Sequence, residues 1–222
     1  MLSDPRAAKY SHPIVLLLCA AYFLGLPPAA RADSATYTYT GNAFANCYNA
    51  YAGTCANETV SITLAAPLGD NLNAANIAAS ITAFSFSDGS GLKVDPSNFL
   101  FGWFYVSTDS SGNISQWSGQ AGFCTDPSCS ASDFVTTDSG LVQGTPVSVS
   151  IDFATVNYPT GNPCITLTSF DATACSLLDT AYVGNNPGTW TVSTPEPSTM
   201  LMLGSGLIGL LLLGFRLNTH AF

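Results

Sequence analysis

Six cysteines fall in three close couples: Cys47 with Cys55, Cys124 with Cys129, and Cys164 with Cys175. Thiols at such spacings can ligate a metal, act as nucleophiles or oxidise in pairs. A zinc site needs histidine or a Cys-x-x-Cys knuckle, and this stretch has neither; His12 and His220 both lie outside it. With Cys19 near the N-terminus set aside, an even number remains, which outside the reducing cytoplasm points to disulfides, with fifteen connectivities open. The spacing favours the three close couples, each loop contributing roughly 2–3 kcal/mol on the chain-entropy model.

The remaining inventory is thin for catalysis. Every His-based triad or relay is excluded between the cysteines, and oxidised cysteines supply no thiolate. Lys93 is the one basic side chain between Asp33 and Thr194, set against twelve carboxylates. Two carboxylates would suffice for glycoside hydrolysis. Glu58, however, is the stretch's one Glu, and Asp88-Gly, Asp95-Pro, Asp126-Pro and Asp138-Ser-Gly read as turn formers. No catalytic residue, cofactor or metal is expected, and the chain reads as a non-enzyme. The acidic balance repels phosphate backbones, so nucleic acid is excluded as a partner.

Two binding chemistries stay open. Asp109-Ser-Ser-Gly-Asn113 and the Asp126, Asp133, Asp138 stretch gather oxygen ligands of the kind calcium takes, although no EF-hand spacing occurs. Trp103, Tyr105 and Trp117 offer flat apolar faces near amides, as carbohydrate sites require. Trp103 sits in the most apolar segment, so Trp117 is the candidate ligand contact.

The elements that would position these groups are short strands. Ala35–Thr40, Val60–Leu64 and Val147–Phe153 alternate apolar with polar residues, the period of a half-buried strand. In the last, Val147, Val149, Ile151 and Phe153 form the expected buried face, with Ser148, Ser150 and Asp152 facing water. Ile81–Phe86 changes phase at Ala83-Phe84, a bulge signal. Asn98–Val106 is apolar on both faces and reads as a central strand, followed by a turn at Asp109–Asn113 and a hairpin return through Ile114–Trp117. Asn71–Ala79 alone hints at a helical turn, and Trp190–Val192 closes the domain. The pattern predicts an all-β, disulfide-stapled β-sandwich over residues 33–192.

Both ends of the chain read as addresses. Arg6 and Lys9 precede the apolar run Ile14–Leu26, and Ala30-Arg31-Ala32 fits small-x-small cleavage before Asp33, a signal peptide over 1–32. At the other end, Pro195-Glu196-Pro197-Ser198-Thr199 leads into an uncharged stretch, 200–215, closed by Arg216. Sixteen residues as a helix reach about 24 Å, against a hydrocarbon core of about 30 Å, so residues 200–215 are expected to form a single short transmembrane helix. Arg216 places the C-terminus on the cytoplasmic side.

These last residues resemble the PEP-CTERM sorting signal: the Pro-Glu-Pro run, the glycine-containing apolar helix and the basic residue after it occur in order within 193–222. The resemblance implies an exosortase as processing partner and a chain exported across the inner membrane. It also implies a membrane-anchored precursor destined for the cell surface or an exopolysaccharide-rich biofilm matrix. The family usually ends in several basic residues; Arg216 stands alone here. Tyr37–Phe44, Leu64–Leu68 and Ile81–Gly89 also look like domains found ahead of such signals, which implies the same architecture and no activity. Two functions follow as expectations: a structural or interaction protein of envelope or matrix, or an exopolysaccharide-binding module, calcium-assisted or not.

Overall fold

The computed structural model describes residues 34–162, 164, 172–194 and 206. The expected signal peptide with Ala30, Ala32 and Asp33, the sorting residues Pro195–Thr199, the apolar stretch 200–215 apart from Gly206, and Arg216 lie outside the described residues. Among the described residues no helix is long and apolar enough to cross a membrane.

Alternation at period two builds two antiparallel sheets. The smaller runs in the order Thr189–Ser193 (β12), Ala35–Ala43 (β1), Asn57–Leu64 (β3), Ile81–Ser87 (β5) and Lys93–Val94 (β6). The larger runs Asn46–Cys47 (β2), Thr180–Gly184 (β11), Thr145–Pro159 (β10), Ala131–Val142 (β9), Ile114–Cys124 (β8), Phe101–Thr108 (β7) and Ala75–Asn76 (β4). Tyr37, Tyr39, Val60, Ile62 and Phe86 of the small sheet join Phe104, Val106, Trp117, Val135 and Ala154 of the large one in one buried cluster. This is the expected β-sandwich. β12 pairs along β1, Thr38 opposite Thr191, so the last strand closes the sheet that the first one opens.

The structure joins Cys47 to Cys55, Cys124 to Cys129 and Cys164 to Cys175, the pairing that the spacing favours. Their Cα–Cα distances are 5.9, 4.9 and 4.7 Å.

Four expectations are corrected. The apolar Asn98–Val106 segment is not central: β7 begins at Phe101 and is followed only by the two-residue β4, while Phe99 and Leu100 are exposed. The irregularity in β5 falls at Thr82, because Leu64 opposes Ile81 and Thr63 opposes Ala83. The faces of β10 are the reverse of those expected. Asp152 and Ala154 point into the space between the sheets, whereas Phe153 is buried on the outward face with Phe134, Tyr182, Cys164 and Cys175. A second apolar cluster thus lies behind the large sheet, and it takes the residues that a two-layer reading sends to the centre. Asn71–Ala79, read as a helical turn, holds β4 and then a single 3-10 turn at Ala78–Ser80.

Candidate functional site

Trp117, expected as an exposed ligand contact, is only 6% exposed. It lies on the inward face of β8, its ring 5.3 Å from Tyr39 and 6.0 Å from Trp190. Its Nε1–H donates to Thr137 Oγ1 at 2.9 Å, and that hydroxyl donates to Asp152 Oδ1 at 2.7 Å. The indole is a core residue, because the hairpin from β7 turns that side of β8 toward the small sheet.

The aromatic that does reach a cavity is Trp103. It heads a row across the outward face of the large sheet: Trp103 opposes Gln120, Gln120 opposes Thr136, Thr136 opposes Phe153 and Phe153 opposes Tyr182. Directly opposed side chains on one face stand within contact distance, so this is one continuous strip. Trp103 is half-buried and lines a cavity of about 140 Å³ with Phe84, Phe99 and Gln120. Its Nε1–H donates to Ser118 Oγ at 2.9 Å, which also receives the Gln143 backbone N–H at 2.9 Å. Ser118 in turn supports the carboxyl of Asp138. Gln120 Oε1 and Asp138 Oδ1 are buried with no hydrogen-bond partner. Unmet acceptors of this kind cost of order 1–3 kcal/mol each. The hairpin read from the sequence stops at Trp117, so Ser118 and Gln120 lie beyond the segment it singles out.

Acidic groups inside the sandwich were missed as well. Glu58, read only as a lone Glu, is fully buried on the inward face of β3 with neither carboxyl oxygen hydrogen-bonded. Burial, and then the nearby charges of Asp152, Asp138 and Asp88, push its pKa well above the usual carboxylate range. The Phe153 backbone amide, outside hydrogen-bond geometry, pulls weakly the other way. Asp152 accepts the Tyr39 hydroxyl at 2.8 Å, and burial raises it to about 6 despite its Thr137 and Tyr39 donors. Asp138 is not a turn former but a buried β9 residue, raised by burial to about 7. At Gly41 a Cβ would stand 2.6 Å from Asp152 Oδ2, so only glycine lets β1 pass this carboxyl.

The loop carboxylates behave as turn residues. Asp109 Oδ1 accepts the Ser111 and Asn113 backbone N–H groups, and Asp126 accepts from Ser128 and Ser130. Those bonds hold both pKa values below the usual range. Asp133 accepts the Asn157 N–H on another strand. The calcium candidates therefore do not converge. Among the described residues no three His, Cys, Asp or Glu side chains are placed to hold a metal.

The small sheet presents a contrasting outward face. Ser193, Thr36, Thr63 and Ala83 form one cross-strand row, Thr191, Thr38, Ser61 and Ser85 the next, and Thr189, Thr40, Thr59 and Ser87 a third. The grid is hydroxyl at every position but Ala83 and carries no charge. It ends at the edge strand β12.

Immediately at that strand begins the one match to known proteins. Residues 193–216 match the model described as the PEP-CTERM protein-sorting motif. No curated protein and no solved structure matches the chain. The motif implies an exported precursor sorted by an exosortase-type enzyme.

Proposed function

We propose that this chain, which carries the PEP-CTERM protein-sorting motif, is a structural or interaction protein of the cell envelope or extracellular matrix, held as a membrane-anchored precursor and processed near Pro195–Pro197. The observation that carries the reading is continuity. The last strand, β12, ends at Ser193, where the motif match begins, so in the sequence the sandwich runs straight into the sorting signal. A non-enzymatic role is favoured by the burial of Glu58, Asp138 and Asp152, carboxyls that a substrate in solution does not reach. Intact mass of the protein from envelope and medium, with and without the host's exosortase, tests it. Loss of residues 1–32 and of the tail, the latter only when the enzyme is present, is the expected result. A tail retained through Phe222 in both strains would reduce the segment to an ordinary anchor.

A second reading is favoured by one specific feature, the Trp103–Gln120–Thr136 strip with its unmet oxygens. A polysaccharide would stack on Trp103, the half-buried aromatic of the strip, because Gln120 and Thr136 are only 8% and 5% exposed. Titrating matrix polysaccharides against tryptophan fluorescence and melting temperature decides this: a ligand for the native state raises Tm by mass action. Trp103→Ala should abolish both responses while Tm without ligand falls only modestly. Responses that survive that substitution would place the ligand elsewhere.

A further inference from the structure

Four strands end the two sheets, and three of them, β6, β2 and β4, are two residues long. Short end strands leave little backbone to pair, a common defence against edge-to-edge association. The fourth is different. β12 offers five residues, Thr189-Trp190-Thr191-Val192-Ser193, and pairs only with β1. Among the described residues, no hydrogen bond engages its outer backbone edge. It contains no proline, no charge and no bulge, the devices that normally blunt such an edge.

We infer that the free edge of β12 pairs with β12 of a second copy, antiparallel about a two-fold axis, joining two small sheets into one. This deepens the structural reading proposed above and rests on it. Three features specify a second copy as the occupant. The first is charge: the chain's formal charge is −9, so copies repel over most of their surface. Residues 180–194 and the neighbouring β1 contain no charged side chain, so here two copies can meet without opposing carboxylates. The second is self-complementarity, which a two-fold interface requires. With Thr191 opposite its symmetry mate, Thr189 faces Ser193, and the hydroxyl grid continues unbroken across the joint. The third is apolar cover. In the same register Val192, 52% exposed, faces Trp190 of the second copy on the core side, so a large exposed hydrophobe gains an aromatic neighbour.

Light scattering or sedimentation of the released protein, from micromolar to millimolar concentration, tests the inference. Released protein should reach twice the monomer mass with rising concentration. Val192→Lys and Thr191→Lys, which place a cation on each face of the edge, should each weaken dimerisation at least tenfold. Leu177→Lys, 78% exposed and away from β12, should leave it unchanged. Circular dichroism and melting of each variant separate lost pairing from lost folding. A released protein that is monomeric throughout, or a dimer that survives both β12 substitutions, overturns the pairing. Correct tail processing with no dimer would leave the envelope reading standing, and failed processing with intact pairing would do the reverse.

Discussion

The outward faces of the two sheets come from strands of similar pattern and end in opposite states. On the small sheet Thr38, Ser61 and Thr191 stand in rows open to water, with nothing larger than threonine among them. On the large sheet Phe134, Phe153 and Tyr182 are buried on the corresponding side, packed with the disulfide-joined Cys164 and Cys175. Alternation tells that a strand has two unlike faces. It does not tell which face meets the other sheet, because a segment arriving from elsewhere in the chain can cover the far side. Val147–Phe153 shows the consequence: its apolar face is buried at Phe153 and half-exposed at Val149, while Asp152 takes the central position.

The sharpest way to break this contrast is Phe153→Ala. If a true second core lies behind the large sheet, removing a fully buried phenyl there costs about 3–5 kcal/mol, read as a lower urea midpoint at unchanged m-value. A loss under about 1 kcal/mol would mean the cover is loose and the large sheet is open like the small one. Next in size is the staple on that cover. Removing the Cys164–Cys175 bridge, whose ends are 11 residues apart, should cost roughly 3 kcal/mol, against roughly 2 for Cys124–Cys129 at a separation of 5. Paired Cys→Ser variants measured in the same melts give the order, and equal losses would detach the second core from its disulfide.

What was legible in the sequence, and what was not, follows the same line. Strand existence, the sandwich and the three disulfide couples were readable because each depends on local period or short spacing. Trp117 was misplaced because exposure depends on which way a hairpin turns, and that is decided across β7 and β8 rather than within either. Glu58 was legible as a type and illegible as a problem: it stands in phase with Val60, Ile62 and Leu64, so its position on the buried face of β3 was written in the alternation. It was weighed only as a member of a carboxylate pair and not by its place in the strand. The Gln120 strip had no signal, because amide and hydroxyl side chains on one face of a strand are what a wet face also shows.

The buried acids sharpen the comparison by pH. Asp152 and Asp138 are protonated more readily folded than unfolded, with pKa values raised to about 6 and about 7, and Glu58 is raised as well. Stability from such groups is complete below their unfolded pKa, about 4, and is lost as pH rises through the folded values. Asp95, Asp109 and Asp126, lowered by their own turns, act oppositely and cost stability only as pH falls below about 4. Melting temperature should therefore be highest at about pH 4 and decline toward pH 8, by several kcal/mol of stability. Glu58→Gln removes one ionisation from the interior and should flatten that alkaline decline. An unchanged decline would assign it to the two aspartates alone.

The smallest expected effects lie on the hydroxyl grid and discriminate within it. Thr38 and Ser61 oppose each other there, and no side-chain hydrogen bond ties either to the fold, so Thr38→Ala or Ser61→Ala should change stability by no more than about 0.5 kcal/mol. Thr36 differs. Its Oγ1 lies 3.0 Å from Thr63 Oγ1 in a partly buried cross-strand pair, so Thr36→Ala should cost about 0.5–1.5 kcal/mol. The same substitution thus separates a hydroxyl that only meets water from one that ties β1 to β3. Equal and small losses at both positions would mean that the rows act as one solvated surface. A larger loss at Thr38 than at Thr36 would show that this face is covered in solution, and the contrast between the two sheets would fail at its small-sheet end.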